Sequence, residues 1–243
     1  MYTEENKGFT IITNFGCDQH CKYCISRFHP ILKGSVTDVK EIDYDKLEKL
    51  ISESSAPTVN LSGGGDPFYQ WDQHIGFYYK IHDIATKYGK KLDVHTRILP
   101  YSLSLLSLFR KIGLSIEYWD KSAIRHLSER FKNTSEVTDI RVIQVLDSKM
   151  TEQDCREYID KMKSIGVKQI TFRQMFGNKK AYEHFTELKD LDWGEGVMFL
   201  PDGEYHNYFF TTNNEYHPYF FGDSEEDRMT WKKRYEDIEQ SCN

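Results

Sequence analysis

Short runs rich in β-branched and aromatic residues alternate along the chain with longer runs whose apolar residues recur at helical spacing. The short runs predict six β-strands: 9–14, 58–62, 91–96, 114–119, 139–146 and 168–174. The longer runs predict helices over 43–54, 74–88, 101–111, 122–132 and 151–164. Repeated strand and helix units predict parallel strands joined by right-handed crossovers, and therefore an α/β barrel or an open α/β sheet.

Most of these strands alternate between apolar and polar residues, whereas parallel strands covered on both faces usually read as continuous apolar runs. One face carries Ile11, Thr13, Val59, Leu61, Leu92, Val94, Leu114, Ile116, Ile170 and Phe172. The opposite face carries Thr10, Asn14, Asn60, Ser62, Asp93, His95, Arg97, Ser115, Glu117, Thr171 and Arg173. Buried polar groups need partners, so this face suits a cavity for polar ligands. An antiparallel sheet with its polar face in solvent is the alternative.

Composition narrows the class of protein. A chain of 243 residues is long enough for one sizeable core, and we expect a single domain. The net charge is -6, with acids and bases interspersed, so we expect no nucleic-acid partner and no basic membrane surface. The first residues lack the pattern of a signal peptide, and no stretch approaches the roughly 20 apolar residues of a membrane span. We therefore expect a cytoplasmic location and no membrane partner.

The chain has five cysteines, and an odd number in a reducing compartment argues against a disulfide scaffold. Cys155 shares a helical stripe with Tyr158, Ile159 and Met162, which predicts a core position. Cys242 stands one residue from the end of the sequence, where fraying is the expectation. Three cysteines remain for chemistry.

Those three, Cys17, Cys21 and Cys24, follow the first strand, at the strand end where parallel α/β proteins bind ligands. Thiolates select zinc or iron-sulfur clusters, and three of them can hold a cubane while leaving its fourth iron without a protein ligand. A structural zinc site would require a fourth ligand. His20 or His29 could supply it, although neither spacing fits a common zinc finger.

The spacing C-x3-C-x2-C, with Tyr23 before the last cysteine, resembles the signature of the radical S-adenosylmethionine (SAM) enzymes. The resemblance implies a [4Fe-4S] cluster on the three cysteines, with SAM on the fourth iron. It also implies reductive cleavage of SAM to methionine and a 5'-deoxyadenosyl radical, which abstracts a hydrogen atom from the substrate. In such enzymes the protein positions the reactants, tunes the reduction potential and excludes groups that would quench the radical.

A second motif follows the second strand. In "LSGGGDP" (61–67), Gly64, Gly65, Asp66 and Pro67 resemble the G-G-E-P motif of the family, whose backbone meets the amino group of SAM. Glycines allow the main chain to approach a ligand closely, and proline stiffens the turn. Asp66 departs from the commonest form, which has glutamate at this position.

A weaker resemblance covers "LSIEYWDKSAIRHLSER" (114–130). Ser115 and Arg130 match by position the serine and arginine that often contact SAM, and Glu117 is a second candidate for the ribose hydroxyls. A charged helix of this kind is also compatible with a plain solvated face. Altogether the resemblance covers about residues 9 to 175.

The expected fold is therefore α/β, a partial (β/α)6 TIM-like barrel with a small C-terminal β/aromatic extension. Residues 1–175 would form the core, and 176–243 would cap the barrel within the same domain. The stretch "VMFLPDGEYHNYFF" (197–210) predicts two strands about a P-D-G turn. Its aromatic residues could also line a substrate site.

We expect a radical SAM enzyme that acts on a small polar substrate, nucleotide or nucleobase-related, and receives its electron from a flavodoxin or ferredoxin. The reaction type is not resolved. Arg97 and Arg173 would suit a carboxylate or phosphate. The candidate substrate or SAM contacts are His95, Arg97, Glu117, Gln144 and Arg173, with Tyr23 beside the cofactors. The alternatives are an activase or peptide-modifying enzyme with a protein partner, and a non-catalytic zinc-binding module.

Overall fold

A computed structural model of the chain describes residues 8–19, 21, 23, 24, 26, 29–32, 34–176, 178–201, 207–224, 226, 227 and 229–233. Its strands are β1 (Gly8–Ile12), β2 (Thr58–Ser62), β3 (Lys91–Thr96), β4 (Lys111–Ser115), β5 (Asp139–Leu146), β6 (Gln169–Gln174), β7 (Val197–Leu200), β8 (Tyr208–Phe210) and β9 (Glu215–His217). Its helices are α1 (Tyr44–Glu53), α2 (Ile75–Lys87), α3 (Leu103–Leu106), α4 (Lys121–Ser135), α5 (Glu152–Ile165) and α6 (Lys179–Leu188), with a 3-10 turn at Trp71–Gln73.

The strands are hydrogen-bonded in the order β7-β6-β5-β4-β3-β2-β1-β8-β9. Strand β1 pairs in parallel with β2 and β8, and β6 pairs in parallel with β5 and β7, whereas β9 runs antiparallel to β8. Within the described residues the order is open, since it starts at β7 and ends at β9. The predicted α/β class, with mostly parallel strands in a partial, unclosed TIM-like arrangement, is confirmed.

The chain divides into two compact units. The first comprises Met1–Ile112 and Glu204–Arg228, and the second comprises Gly113–Gly203 and Met229–Asn243. Strands β1–β3, β8 and β9 lie in the first unit, and β5–β7 lie in the second. The predicted division at residue 175 and the capping role of 176–243 stay predictions.

In the first unit the predicted apolar strand face is buried. Ile11, Val59, Leu61 and Val94 are all fully inaccessible to solvent. Helix α2 buries Phe77, Tyr78 and Ile81, which recur at helical spacing, and α1 buries Leu47 and Ile51. The strand pattern and the helical pattern therefore point to a common core, as the alternation predicted.

In the second unit Cys155 is buried on α5, and burial raises the pKa of its thiol to about 12. The predicted packing role of this cysteine is confirmed. Helix α5 begins with a capping box between Thr151 and Asp154 and ends at Gly166, whose φ of 107° is left-handed. These are the helix boundaries that the sequence predicted.

Three elements differ most from prediction. The predicted helix 101–111 is only Leu103–Leu106, and the strand predicted over 114–119 is Lys111–Ser115. The chain leaves the helix early because the Arg110 N–H already donates to the Leu92 carbonyl of β3, at 2.8 Å, so Gly113 lies inside a strand. Helix α6 was not predicted, although its buried Ala181, Phe185 and Leu188 have helical spacing.

The two strands predicted within 197–210 are present as β7 and β8. Strand β7 pairs with β6 and strand β8 pairs with β1, so the two predicted strands are not neighbours in the sheet. Residues 202–206 lie outside the described part of the chain. No helix among the residues that the structure describes is both long and apolar enough to span a membrane.

Candidate functional site

The cysteine loop follows β1 in the first unit. Cys17 is exposed, Cys21 and Cys24 are half-buried, and all three carry reduced thiols. The Gln19 N–H donates to Cys17 Sγ at 3.3 Å, and the Cys24 N–H donates to the Cys21 carbonyl at 3.2 Å, which turns the chain between the last two cysteines. His20 of the zinc alternative lies outside the described residues.

Asn14 links the two ends of the cysteine loop. Its φ of 44° is left-handed, a conformation that asparagine adopts more readily than most residues. The Asn14 side-chain amide donates to the Ser35 carbonyl at 2.9 Å, and the Thr37 N–H donates to the Asn14 carbonyl at 3.0 Å. These bonds join the start of the loop to a point more than twenty residues later, so the cysteines lie on a closed loop.

The glycine-rich turn after β2 lies directly against this loop. Gly64 has a φ of 70°, and a Cβ at this residue would lie 2.9 Å from the Asn14 nitrogen. A Cβ on Gly65 would collide with the carbonyl oxygen of Gly16. The Asp66 N–H donates to that same carbonyl at 2.9 Å. Main chain therefore touches main chain here, and only glycine leaves enough room.

The carboxylate of Asp66 is 4 % exposed and is surrounded by donors of the protein itself. It accepts hydrogen bonds from the Thr96 hydroxyl at 2.6 Å, the Arg97 N–H at 2.6 Å and the Phe68 N–H at 2.8 Å. Burial raises the pKa of Asp66, and the three donated bonds oppose that shift. The sequence predicted a SAM contact at Asp66, and the structure shows a carboxylate that joins the glycine turn to the end of β3.

Pro67 is held from the opposite side by helix α2. The Tyr78 hydroxyl donates to the Pro67 carbonyl at 2.7 Å, and the Tyr78 ring is fully buried. Burial raises the pKa of this phenol well above its usual range, so it stays a donor. Sequence patterns place Tyr78 only in the core, and its polar partner was not predicted.

Arg97 reaches from the end of β3 to the cysteine loop. Its Nη1 donates to the Tyr23 hydroxyl at 3.2 Å and to Cys21 Sγ at 3.5 Å. The structure thus brings Cys21, Tyr23 and Arg97 together, whereas the sequence predicted Arg97 as a substrate or SAM contact. His95, two residues earlier on β3, is half-buried.

In the second unit Glu117 and Gln144 form a pair. Glu117 follows the end of β4 and is 5 % exposed, and Gln144 is buried on β5. Gln144 Nε2 donates to Glu117 Oε2 at 3.0 Å, while Gln144 Oε1 accepts from the Tyr118 N–H at 2.7 Å. The amide is therefore held at both ends, and it orients the carboxylate.

The other candidates of this unit lie on separate elements. Ser115 is the last residue of β4 and is half-buried, as is Arg173 on β6. Arg130 lies on α4, where its Nη1 is 3.5 Å from His126 Nε2. These three side chains therefore come from two strands and one helix.

Residues after β8 cover the far end of the cysteine loop. His29 is buried, and its ring stacks on Phe210 with the centroids 5.0 Å apart. His29 Nε2 lies 2.6 Å from the Phe220 carbonyl, and Nδ1 accepts from the Ile31 N–H at 3.3 Å. Both ring nitrogens are thus engaged with the backbone, which requires the neutral tautomer with the proton on Nε2.

Burial has the largest effect on the protonation of the Cys17 thiol. Cys17 as a residue is exposed, yet burial of its thiol raises the pKa to about 11, against a lowering effect of the Gln19 N–H. A coordinating metal deprotonates such a thiol outright. In the described part of the chain, no three His, Cys, Asp or Glu side chains converge tightly enough to bind one metal ion. A cubane does not need that convergence, since its thiolates bind different irons.

Several site residues carry no local sequence signal. Gly16, Ser35 and Thr96 complete the loop, but their partners lie far away in the sequence. Only Asn14 had a hint, since asparagine followed closely by glycine favours left-handed backbone.

Comparison with known proteins supports the fold. The structure of a histidine-tagged anSMEcpe with bound AdoMet is 17% identical, with a TM-score of 0.53, over 68% of this chain and 50% of that one. Streptococcus suis SuiB bound to S-adenosylmethionine is 13% identical, with a TM-score of 0.54, over 82% of this chain and 49% of that one. No family model matches the sequence, and no curated protein matches it. This chain spans about half the length of the two solved structures.

Proposed function

We propose that this chain is a radical SAM enzyme with a [4Fe-4S] cluster on Cys17, Cys21 and Cys24. The observation that carries the proposal is the backbone contact between the cysteine loop and the glycine turn, at Gly16 and Asp66. The two motifs are about forty residues apart in the sequence, yet they meet just after the parallel strands β1 and β2, at the strand ends where parallel α/β proteins bind ligands. Two solved structures of this fold have SAM bound, which agrees with the proposal.

The thiol donor set fits a cluster. Three reduced cysteines follow one strand, and N–H donors reach two of their sulfurs, from Gln19 to Cys17 and from Arg97 to Cys21. Hydrogen bonds to the sulfurs are one of the means by which a protein tunes an iron-sulfur cluster. When bound, the cluster would supply the electron that cleaves SAM to methionine and a 5'-deoxyadenosyl radical, which takes a hydrogen atom from the substrate.

The protein's own share is binding and orientation. The left-handed glycines at 64 and 65 let the turn pack against the cysteine loop, which would bring main-chain groups of the turn beside the SAM amino group. Glu117 would accept from the ribose hydroxyls, and Gln144 holds it in place. Ser115 and Arg130 are further SAM contacts in this proposal, as is Tyr23 beside the cluster.

The proposed substrate is small and polar. His95 in the first unit and Arg173 in the second are each half-buried, and an arginine suits a carboxylate or phosphate, such as that of a nucleotide. A flavodoxin or ferredoxin would deliver the electron. Because the chain covers half of the solved structures it resembles, the substrate and this partner belong to the proposal.

The test is anaerobic reconstitution of the full chain with iron and sulfide. We expect a brown protein that forms 5'-deoxyadenosine from SAM under dithionite. A colourless protein with stoichiometric zinc would contradict the proposal. If deuterium enters 5'-deoxyadenosine only when a particular polypeptide is present, the substrate is that polypeptide and not a small molecule.

A further inference from the structure

The guanidinium of Arg97 lies on a cysteine of the cluster loop. Nη1 is 3.5 Å from Cys21 Sγ, the ordinary length of a hydrogen bond from nitrogen to sulfur, and 3.2 Å from the Tyr23 hydroxyl. The same nitrogen thus contacts a ligand sulfur and the aromatic residue beside the next cysteine. None of the motifs in the sequence signals this contact.

The position of Arg97 is fixed by the frame of the site. Its N–H donates to Asp66 Oδ2 at 2.6 Å, and its neighbour Thr96 donates to Asp66 Oδ1 at 2.6 Å. Asp66 is in turn bonded through its own N–H to Gly16, at the start of the cysteine loop. The main chain of Arg97 is therefore held by the glycine turn, and its side chain returns to the loop that carries Cys21.

We propose that Arg97 is a positioning residue that holds Cys21 and raises the reduction potential of the cluster bound there, which rests on the proposed function. Hydrogen bonds to the sulfurs and nearby charge set the potential of an iron-sulfur cluster. A guanidinium stays positively charged at every working pH. Reduction adds one electron to the cluster from the donor, with no covalent bond made or broken, so a fixed cation stabilises the reduced form more than the oxidised form.

This role differs from the substrate or SAM contact that the sequence predicted for Arg97. A substrate-binding arginine would change the Michaelis constant for substrate and leave the potential of the substrate-free enzyme unaltered. An arginine on the cluster would change the potential in the absence of both SAM and substrate. The two roles therefore separate in a measurement made on the reconstituted protein alone.

The experiment is a redox titration of the full-length reconstituted chain, followed by EPR of the reduced cluster. In Arg97→Gln we expect the ratio of reduced to oxidised cluster at a given potential to fall about tenfold. For one electron, this is a midpoint potential lower by about 59 mV. Arg97→Lys keeps the charge but loses the planar guanidinium, so its reduction potential should lie between those of Arg97→Gln and wild type. Arg125→Gln is the matched control, since the Arg125 side chain is 78% exposed on α4, and it should titrate like wild type.

Each outcome decides the question. Wild-type potential in both Arg97→Gln and Arg97→Lys overturns the inference while leaving the proposed function intact. Should Arg97→Gln fail to hold a cluster, Arg97→Lys decides, and a lower potential than wild type supports the inference. If both variants fold but bind no cluster, the inference is wrong, because Arg97 is then needed for cluster assembly and not for tuning its potential. A wild-type chain that binds no cluster would instead overturn the proposed function.

Discussion

The Thr96 hydroxyl donates to the buried carboxylate of Asp66 across 2.6 Å, joining residues that are thirty positions apart in the sequence. The Arg97 N–H donates to the other oxygen of the same carboxylate, also at 2.6 Å. Because the Asp66 N–H is bonded to Gly16, one residue connects the glycine turn, strand β3 and the cysteine loop. The site is thus braced mainly by hydrogen bonds to a single side chain.

Asp66→Asn should destabilise the protein by about 1 to 3 kcal/mol, the cost of leaving a buried donor unsatisfied. The asparagine NH₂ would face either the Thr96 hydroxyl and Phe68 N–H or the Arg97 N–H, all of which donate in the wild type. Urea unfolding followed by circular dichroism measures the change.

Asp83→Asn is the control for this substitution, since the Asp83 side chain is 77% exposed. It should change the free energy of unfolding by less than about 0.5 kcal/mol. Thr96→Val removes one donor and should cost about 1 kcal/mol. Equal stability of Asp66→Asn and Asp83→Asn would show that the carboxylate does not brace the site.

Gly64→Ala and Gly89→Ala form a matched pair, because their φ angles are 70° and 68°. A methyl group on Gly89 meets nothing within 4 Å, whereas on Gly64 it lies 2.9 Å from the Asn14 nitrogen. Gly89→Ala should therefore cost only the left-handed strain, about 1 to 2 kcal/mol. Gly64→Ala adds overpacking against backbone, for a total of about 2 to 5 kcal/mol. Thermal unfolding of both variants tests this, and equal losses would refute close approach at Gly64.

Glu117→Gln should weaken SAM binding about tenfold, because charge-assisted hydrogen bonds to the ribose hydroxyls become neutral ones. The fold should survive, since the new amide oxygen can still accept from Gln144 Nε2. Anaerobic calorimetry of SAM binding gives the affinity. Glu129→Gln, at a 65% exposed residue of α4, is the control and should bind SAM as wild type does. Unchanged affinity in Glu117→Gln would remove Glu117 from the SAM site.

Burial beside Phe210 and Phe220 lowers the pKa of His29 from 6.5 to about 4, against a raising effect of its bond to the Phe220 carbonyl. Above about pH 6.5 the ring is neutral in both the folded and unfolded chains, so it adds no pH dependence. As the pH falls towards 4, the unfolded chain takes up a proton that the folded chain refuses. The folded state should lose up to about 3 kcal/mol over this window, at about 1.36 kcal/mol per pH unit.

His29→Gln removes the titrating ring and keeps an amide that can donate to the Phe220 carbonyl. The difference in unfolding free energy between wild type and this variant isolates the histidine from the carboxyl groups that titrate nearby in pH. Urea titrations at half-unit steps from pH 7.5 to 4 should show that difference shrinking as the pH falls. A constant difference would contradict a buried neutral His29. The charge of His217 also acts on His29, in the same direction as burial.

How far the sequence alone predicts this molecule depends on the range of the interaction. Strands 58–62, 91–96 and 139–146 were predicted to the residue, because their period-two pattern is local. Strand β4 begins before the predicted range 114–119, because pairing with β3 begins already at Arg110. Tertiary contact overrode a local signal.

The same distinction holds at the site. Cysteine spacing and the glycine run are local patterns, so both motifs were recognised in the sequence. The bond from Thr96 to Asp66 and the contact of Arg97 with Cys21 join residues 30 and 76 positions apart. The direction in which a half-buried arginine points depends on the packing around it, and no periodicity encodes that direction.

The most direct measurement is the EPR spectrum of the reduced, reconstituted protein with and without SAM. Our account predicts a cluster signal that changes shape when SAM binds the iron lacking a protein ligand, both in wild type and in Cys155→Ser. Cys17→Ser, Cys21→Ser and Cys24→Ser should each lose the signal. A signal that SAM leaves unchanged, or that survives in Cys24→Ser, would contradict the central claim.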